Sequence, residues 1–337
     1  MELKDPKSIV IVQIGKIGDM ILTTPLFSGI RRIFPEAKLT VLSGKINKDI
    51  PLNHKSVDEV LIYKKNIFEN ISLLFSSLKN PDLWIDTKDN YSRTSELLLK
   101  VFKPKISIGY NFEKKLFDIS LKDYQKGNHA VDINTGPLYY LNGNIDIPDR
   151  MPSFEIPESI QNKITSAIHK NPFQKNILIN ISAGNKSRYI KKEQWVKVIN
   201  RIHQTGLFYF YLAGLEKDMD DIEYILRNTV RDNVKFIRTE NIIETAALLR
   251  SCAAVITADT SIVHLCSAFD KPVVAMYPDV KWNLDKFAPL SKSNEVIVSK
   301  SAENIEDIDS ERIVNSFSNL TISGNAESRT RVRKEDH

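Results

Sequence analysis

Cysteine is nearly absent from this sequence: two residues in 337, Cys252 and Cys266, with no C-x-x-C pair. That excludes a disulfide-stapled framework, and with no histidine cluster at ligand spacing no zinc site is read either. A nucleic-acid-binding arm is also missing. The 47 Lys and Arg face 42 Asp and Glu, so the net charge is only +5. An excess of that size favours an anionic ligand or an anionic membrane surface and points to no nucleic-acid partner. No apolar run approaches the ~18 residues of a spanning helix, and the opening MELKDPKS has no apolar signal core, so the chain reads as cytosolic. Glycine is scarce as well, at 12 residues, which makes the placing of two of them, Gly15 and Gly18, informative.

What is present is the alternation of parallel α/β structure. At 337 residues the chain exceeds what one core supports, so two domains are expected. Apolar runs without a polar face recur at 9–14, 39–42, 60–63, 83–86 and 106–109, as in strands covered on both sides. Helical segments at 27–34 and 94–102 separate them. The stretch NGNIDIPDRMPSFEIPESI, with three prolines and no sustained period, reads as a linker. Strands then resume at 177–181, 208–213, 234–237, 254–258 and 273–276, with helices at 193–204, 218–228, 243–251 and 261–269 and a last one at 302–317. The expected organisation is α/β, with two doubly wound, Rossmann-like domains at 1–155 and 156–322 and a disordered polar tail at 323–337. Such domains face a central cleft, where the carboxyl ends of the strands bind ligands.

Three stretches carry chemistry at such strand ends. Gly15 and Gly18 lie in IGKIGDM, a Gly-x-x-Gly-Asp turn from the first strand into a helix. Neither G-x-G-x-x-G nor G-K-[ST] is present, so this is neither a dinucleotide fingerprint nor a P-loop. Glycine lets the backbone turn sharply or approach a ligand closely. Asp19 has two readings: an acid facing the positive end of its helix, or a general base that takes a proton from an attacking hydroxyl. In VITADTSIVHLCSAF a strand ends in Asp259, Thr260 and Ser261, a helix begins, and His264 falls one turn in. Asp259 or Thr260 serves as N-cap, and the next amides suit a phosphate; the alternative is a routine strand-to-helix cap with a partly buried histidine. NISAGNKSRYIKKEQW places Lys186, Arg188, Lys191 and Lys192 after a strand, where an anion contact competes with a solvated surface as the explanation.

In their order and spacing, IGKIGDMILTTPLFSGIRRIFPEAKLTVL, PDLWIDTKDNYSRTSELLL followed by ISIGY, KKEQW, and ADTSIVHLCSAFDKPVVAMY resemble the family-9 glycosyltransferases. The best-known members of that family are the ADP-heptose lipopolysaccharide heptosyltransferases. The resemblance runs from about Ser8 to about Phe317. It implies a GT-B fold and an inverting transfer of heptose from ADP-heptose to a lipopolysaccharide core or related lipid-linked glycan, at the cytoplasmic face of the bacterial inner membrane. Any membrane contact would then be peripheral. By position, the resemblance makes Asp19 the base, on an acceptor-side turn with Gly15, Lys16 and Gly18. It assigns the donor to Arg188, Glu244, Asp259, Thr260, Ser261 and His264, with Glu244 near the nucleoside. No tightly bound cofactor is implied, and no metal motif is read, although a divalent cation could assist. Ser261 stands where the family has glycine, Lys16 where it has serine or a similar residue, and YPDVKWN where it has a glycine-containing loop. Those departures leave room for another nucleotide sugar, for an epimerase or hydrolase, or for a non-enzymatic glycan-binding protein.

Overall fold

A computed structural model describes residues 5–64, 79–111, 114–141 and 150–321. The expected tail lies outside the described residues, as does part of the expected linker. The described residues form two six-stranded sheets in which every pairing is parallel. The first contains β1 (Ser8–Gln13), β2 (Lys38–Gly44), β3 (Glu59–Tyr63), β4 (Leu83–Asp86), β5 (Ile106–Gly109) and β6 (Ile119–Ser120), in the order β3-β2-β1-β4-β5-β6. The second contains β7 (Lys175–Asn180), β8 (Phe208–Ala213), β9 (Val234–Phe236), β10 (Ala254–Ala258), β11 (Val273–Tyr277) and β12 (Asn294–Val298), in the order β12-β11-β10-β7-β8-β9. Both sheets therefore reverse direction of growth beside their first strand. The crevice at the carboxyl ends there, between β1 and β4 and between β7 and β10, is where a doubly wound sheet receives its ligand. Two such domains facing each other make the GT-B architecture.

The helices are α1 (Ile17–Ile21), α2 (Thr24–Ile33), α3 (Asp49–Leu52), α4 (Arg93–Phe102), α5 (Ala130–Leu141) and α6 (Glu158–Ala167), followed by α7 (Lys192–His203), α8 (Met219–Asn228), α9 (Ile242–Arg250), α10 (Ser261–Ala268), α11 (Lys281–Phe287) and α12 (Ser310–Asn319). They cover both sheet faces, which is why Ile9 to Val12 of β1 and all of β10 and β11 are buried without alternation. Each such Ile or Val contributes roughly 1.5–3 kcal/mol on burial. One apolar cluster runs from Ile9 and Ile11 through Phe154 and Ile164 to Ile262 and Leu265, so the two sheets share a packed seam.

Three expectations are corrected. Each sheet gains a sixth strand, β6 and β12, at an edge where one side is unpaired and the apolar run is short. The last helix starts at Ser310, capped by Asp309, which accepts from Arg312 N at 2.9 Å. Residues 302–309 instead make local turns, in which Ser301 Oγ accepts from Glu303 N, Asn304 Oδ1 from Glu306 N and Asp307 Oδ2 from Lys300 N. α3, α5, α6 and α11 were not read from the sequence, and α6 begins inside the stretch read as linker. α5 is buried nearly all round, its polar Asp132, Asn134 and Thr135 included, and contains Pro137, so it lacks the 3.6-residue contrast that marks a helix.

Candidate functional site

The first switch point is built by a glutamine. From the end of β1, Gln13 Nε2 donates to Thr87 Oγ1 just past β4 (3.3 Å) and to Thr23 Oγ1 (3.2 Å), while its Oε1 accepts from Gly15 N (3.1 Å). Asn47, fully buried after β2, completes the turn. Its Nδ2 donates to the carbonyls of Gln13 (3.1 Å) and Gly15 (3.0 Å), and its Oδ1 accepts from Gly44 N (2.9 Å). α1 follows with Lys16 as N-cap. Asp19, half-buried, accepts from Lys16 N through Oδ2 at 3.1 Å, so the helix-facing role of this acid is present. Only this half of a capping box exists, because a lysine ammonium has no acceptor to offer.

The second switch point is organised the same way. Asn180, ending β7, donates to Thr257 Oγ1 on β10 at 2.9 Å. Thr260 is the N-cap of α10, its Oγ1 accepting from Ile262 N at 3.3 Å. Asp259 is therefore free of capping. Its Oδ2 accepts from Asn283 Nδ2 at 2.7 Å and lies 3.1 Å from Arg188 Nη1, which also donates to the Asp259 carbonyl at 2.8 Å. Asp259 is 5% exposed at its side chain and Arg188 31%. Burial pushes the Asp259 carboxyl above the usual carboxylate range, against the opposing pull of Asn283, Arg188 and Lys16. Of the other basic residues in this loop, Lys192 pairs with Asp221 (3.4 Å) and covers the Tyr224 ring, and Lys186 is exposed. Only Arg188 reaches the strand-end acid.

The two turns meet. A Cβ built on Gly18 would lie 2.7 Å from His264 Cδ2 and 3.8 Å from Ser261 Cα, so α1 of the first domain rests directly on the first turn of α10 of the second. This corrects the reading of the glycines as sharp-turn residues. The one described glycine with positive φ is Gly206 (φ 70°). Gly18 is required by close approach to the buried His264 ring, whereas a Cβ on Gly15 would come within 2.9 Å only of Asp19 Oδ2 and Gln13 Oε1, the ends of side chains that can shift. His264 is buried, its Nδ1 has no partner among the described residues, and burial lowers its pKa to about 3, so the imidazole is neutral at physiological pH. Further contacts hold the domains together. Lys286 Nζ meets Asp89 Oδ2 at 2.5 Å, and His129 Nε2 donates to the Ala288 carbonyl at 3.0 Å.

The model of Glycosyltransferase family 9 (heptosyltransferase) matches residues 72–316, more than half of the chain. The chain belongs to glycosyltransferase family 9. Asp19 lies outside the matched span. Among relatives, the lipopolysaccharide core heptosyltransferase OpsX of Haemophilus influenzae is 20% identical over 281 residues, covering 81% of this chain and 79% of that protein. Among solved structures, a family 9 glycosyl transferase from Veillonella parvula superposes with a TM-score of 0.79 at 20% identity, covering 94% of this chain and 97% of the other. The ADP-heptose lps heptosyltransferase II of E. coli superposes at 0.75 and 18%, covering 92% and 97%.

Within this glycosyltransferase, Glu244 does not line the pocket that opens past β8 and β9. Its carboxylate is engaged at the start of α9, where Oε2 accepts from Glu240 N and Oε1 takes Lys163 Nζ from α6, both at 2.8 Å. The pocket itself, open to solvent, lies past β8 and β9 between Gly214, Glu216, Met219, Phe236, Arg238 and Glu240. Arg238 Nη2 lies 2.8 Å from Glu216 Oε2 at its rim. Tyr189 Oη donates to Asp218 Oδ1 (2.8 Å) and Lys217 Nζ to the Ala183 carbonyl (2.9 Å), tying the Arg188 loop to this pocket.

Sequence reading missed these pocket residues, and it missed Asn47 and Asn283. Asn283 was signalled only by the departure at YPDVKWN. Two Asp-x-Asp triplets were also passed over, Asp218–Asp220 and Asp307–Asp309. Asp218 Oδ2 accepts from Leu215 N at 2.8 Å, and Asp307 and Asp309 hold the turns before α12. Among the described residues no three His, Cys, Asp or Glu converge as metal ligands. Replacing Asn47 with Ala removes three hydrogen bonds at a buried site and is expected to lower unfolding free energy by about 2–3 kcal/mol, read from urea denaturation.

Proposed function

We propose that this enzyme transfers a heptose from ADP-heptose to a hydroxyl of a lipid-linked surface glycan, such as a lipopolysaccharide core, in one inverting displacement. The observation that carries this reading is the seating of the Asp19 turn on the first turn of α10 across the cleft, through Gly18, Ser261 and His264. Asp19 takes the proton of the acceptor hydroxyl as its oxygen attacks the anomeric carbon. The bond from that carbon to the β-phosphate oxygen breaks on the opposite face, so configuration inverts and ADP departs. The amides opening α10 and the Arg188 guanidinium stabilise the charge that develops on the diphosphate. The nucleoside occupies the pocket of Met219 and Phe236, where the Glu216 and Glu240 carboxylates suit ribose hydroxyls. No tightly held cofactor enters this reading.

The similar E. coli structure is of an ADP-heptose enzyme and the Haemophilus relative acts on the lipopolysaccharide core, which supports donor and acceptor alike. A cytoplasmic enzyme held peripherally at the inner membrane follows from the same reading. Among the described residues no helix is long and apolar enough to cross a membrane. Calorimetric titration with ADP, ADP-heptose, UDP and GDP tests the donor. Preference for ADP and ADP-heptose is expected. Preference for UDP or GDP would transfer the reading to another nucleotide sugar, the alternative that Ser261 in place of the family's glycine motivates. Consumption of the nucleotide sugar without acceptor would make the protein an epimerase or hydrolase.

A further inference from the structure

Lys16 sits where local structure disfavours it. It is the N-cap of α1, a position that rewards a side-chain acceptor, and it brings a cation to the positive end of a helix. Its backbone N–H is taken by Asp19, but its ammonium has no partner among the described residues and its side chain is exposed. Two residues on, Gly18 packs against Ser261 and His264, so the exposed Lys16 precedes by two residues the contact between α1 and the opening of α10.

What lies opposite is arranged for an anion. Thr260 caps α10 by accepting from Ile262 N, leaving the Ser261 amide without a side-chain cap. The His264 imidazole, 5% exposed, keeps Nδ1 unpartnered one turn along the same helix. Arg188 approaches from the second domain by way of Asp259. Lys16 also belongs to the charges acting on Asp259, which places its ammonium in the field of that site.

We propose that Lys16 reaches across the cleft to the donor diphosphate, so that the acceptor-side domain supplies a cation to the departing nucleotide opposite Arg188. This rests on the ADP-sugar reading above. It gives domain closure a chemical consequence: the charge clamp on the leaving group is complete only when α1 lies on α10.

The test is calorimetric binding of ADP and of adenosine to the full chain, as wild type, Lys16→Met and Lys16→Arg. Lys16→Met is expected to weaken ADP by about tenfold to a hundredfold, the range of one charge-assisted hydrogen bond, while adenosine affinity and thermal unfolding stay at wild-type values. Lys16→Arg, which keeps the charge, recovers most of the ADP affinity. Equal ADP affinity in wild type and Lys16→Met overturns the inference while leaving the functional reading intact. Parallel losses for ADP and adenosine also overturn it, since they make Lys16 a structural residue of the turn. Failure of the wild type to bind ADP at all overturns the functional reading, and this inference with it.

Discussion

Asp19→Asn is expected to lower turnover by about 10²–10⁴-fold, the usual worth of a general base, with unfolding and ADP affinity unchanged. The choice of asparagine matters because Asp19 does two things in this structure. Its Oδ2 accepts a hydrogen bond from Lys16 N at the start of α1, and it stands at the cleft end of that turn. Asparagine keeps an acceptor oxygen of the same reach and volume but cannot take a proton at neutral pH. Asp19→Ala loses both roles and adds a stability cost of about 1 kcal/mol, typical of a lost helix-terminal acceptor. If helix capping were the whole function of Asp19, the asparagine variant would turn over normally and only the alanine variant would suffer. Steady-state kinetics of both, beside their thermal melts, separates the two accounts. An active Asp19→Asn enzyme would sink the assignment of the base.

The sequence made the strand-end stretches legible because their signals are local. A β-branched run, a turn and a helix start within about ten residues, and both instances fell at the switch points of the two sheets. The reasons for particular residues were less visible. Gly18 reads as a turn residue in isolation, yet its constraint comes from His264, which is 246 positions away in sequence and touches it across the domains. Asn47 and Asn283 act by hydrogen bonds to distant backbone or carboxylate groups, and no spacing rule marks such residues. Glu244 illustrates the converse. Its position at the third residue of α9 was visible, but Lys163 of α6, brought to it only by folding, decides what its carboxylate does. Short edge strands and α5, buried nearly all round with its polar Asp132, Asn134 and Thr135 inside, escaped because periodicity needs length and contrast to register.

Arg188→Ala should weaken ADP binding by about a hundredfold, or about 2–3 kcal/mol for lost charge-assisted bonds to phosphate, with the acceptor KM near its wild-type value. Part of that effect works through Asp259. This carboxylate is buried, and desolvation already raises its pKa; Arg188, Asn283 and Lys16 oppose the rise. Deleting the guanidinium removes one of those opposing charges, so the Asp259 pKa moves further up. Protonated Asp259 no longer attracts Asn283 as a charged acceptor, and the strand end that shapes the first turn of α10 loosens. The ionised form is therefore the competent one, and activity falls as pH drops through the Asp259 pKa. In Arg188→Ala that acidic limb should shift to higher pH, whereas a residue that only touched the donor would lower the profile without moving it. Arg188→Lys restores charge but not the paired geometry at the Asp259 carbonyl and carboxylate, so it should recover the limb's position more fully than the ADP affinity. Unshifted pH profiles across the three proteins would show that Arg188 and Asp259 act independently. Equal losses for donor and acceptor would remove Arg188 from the donor site.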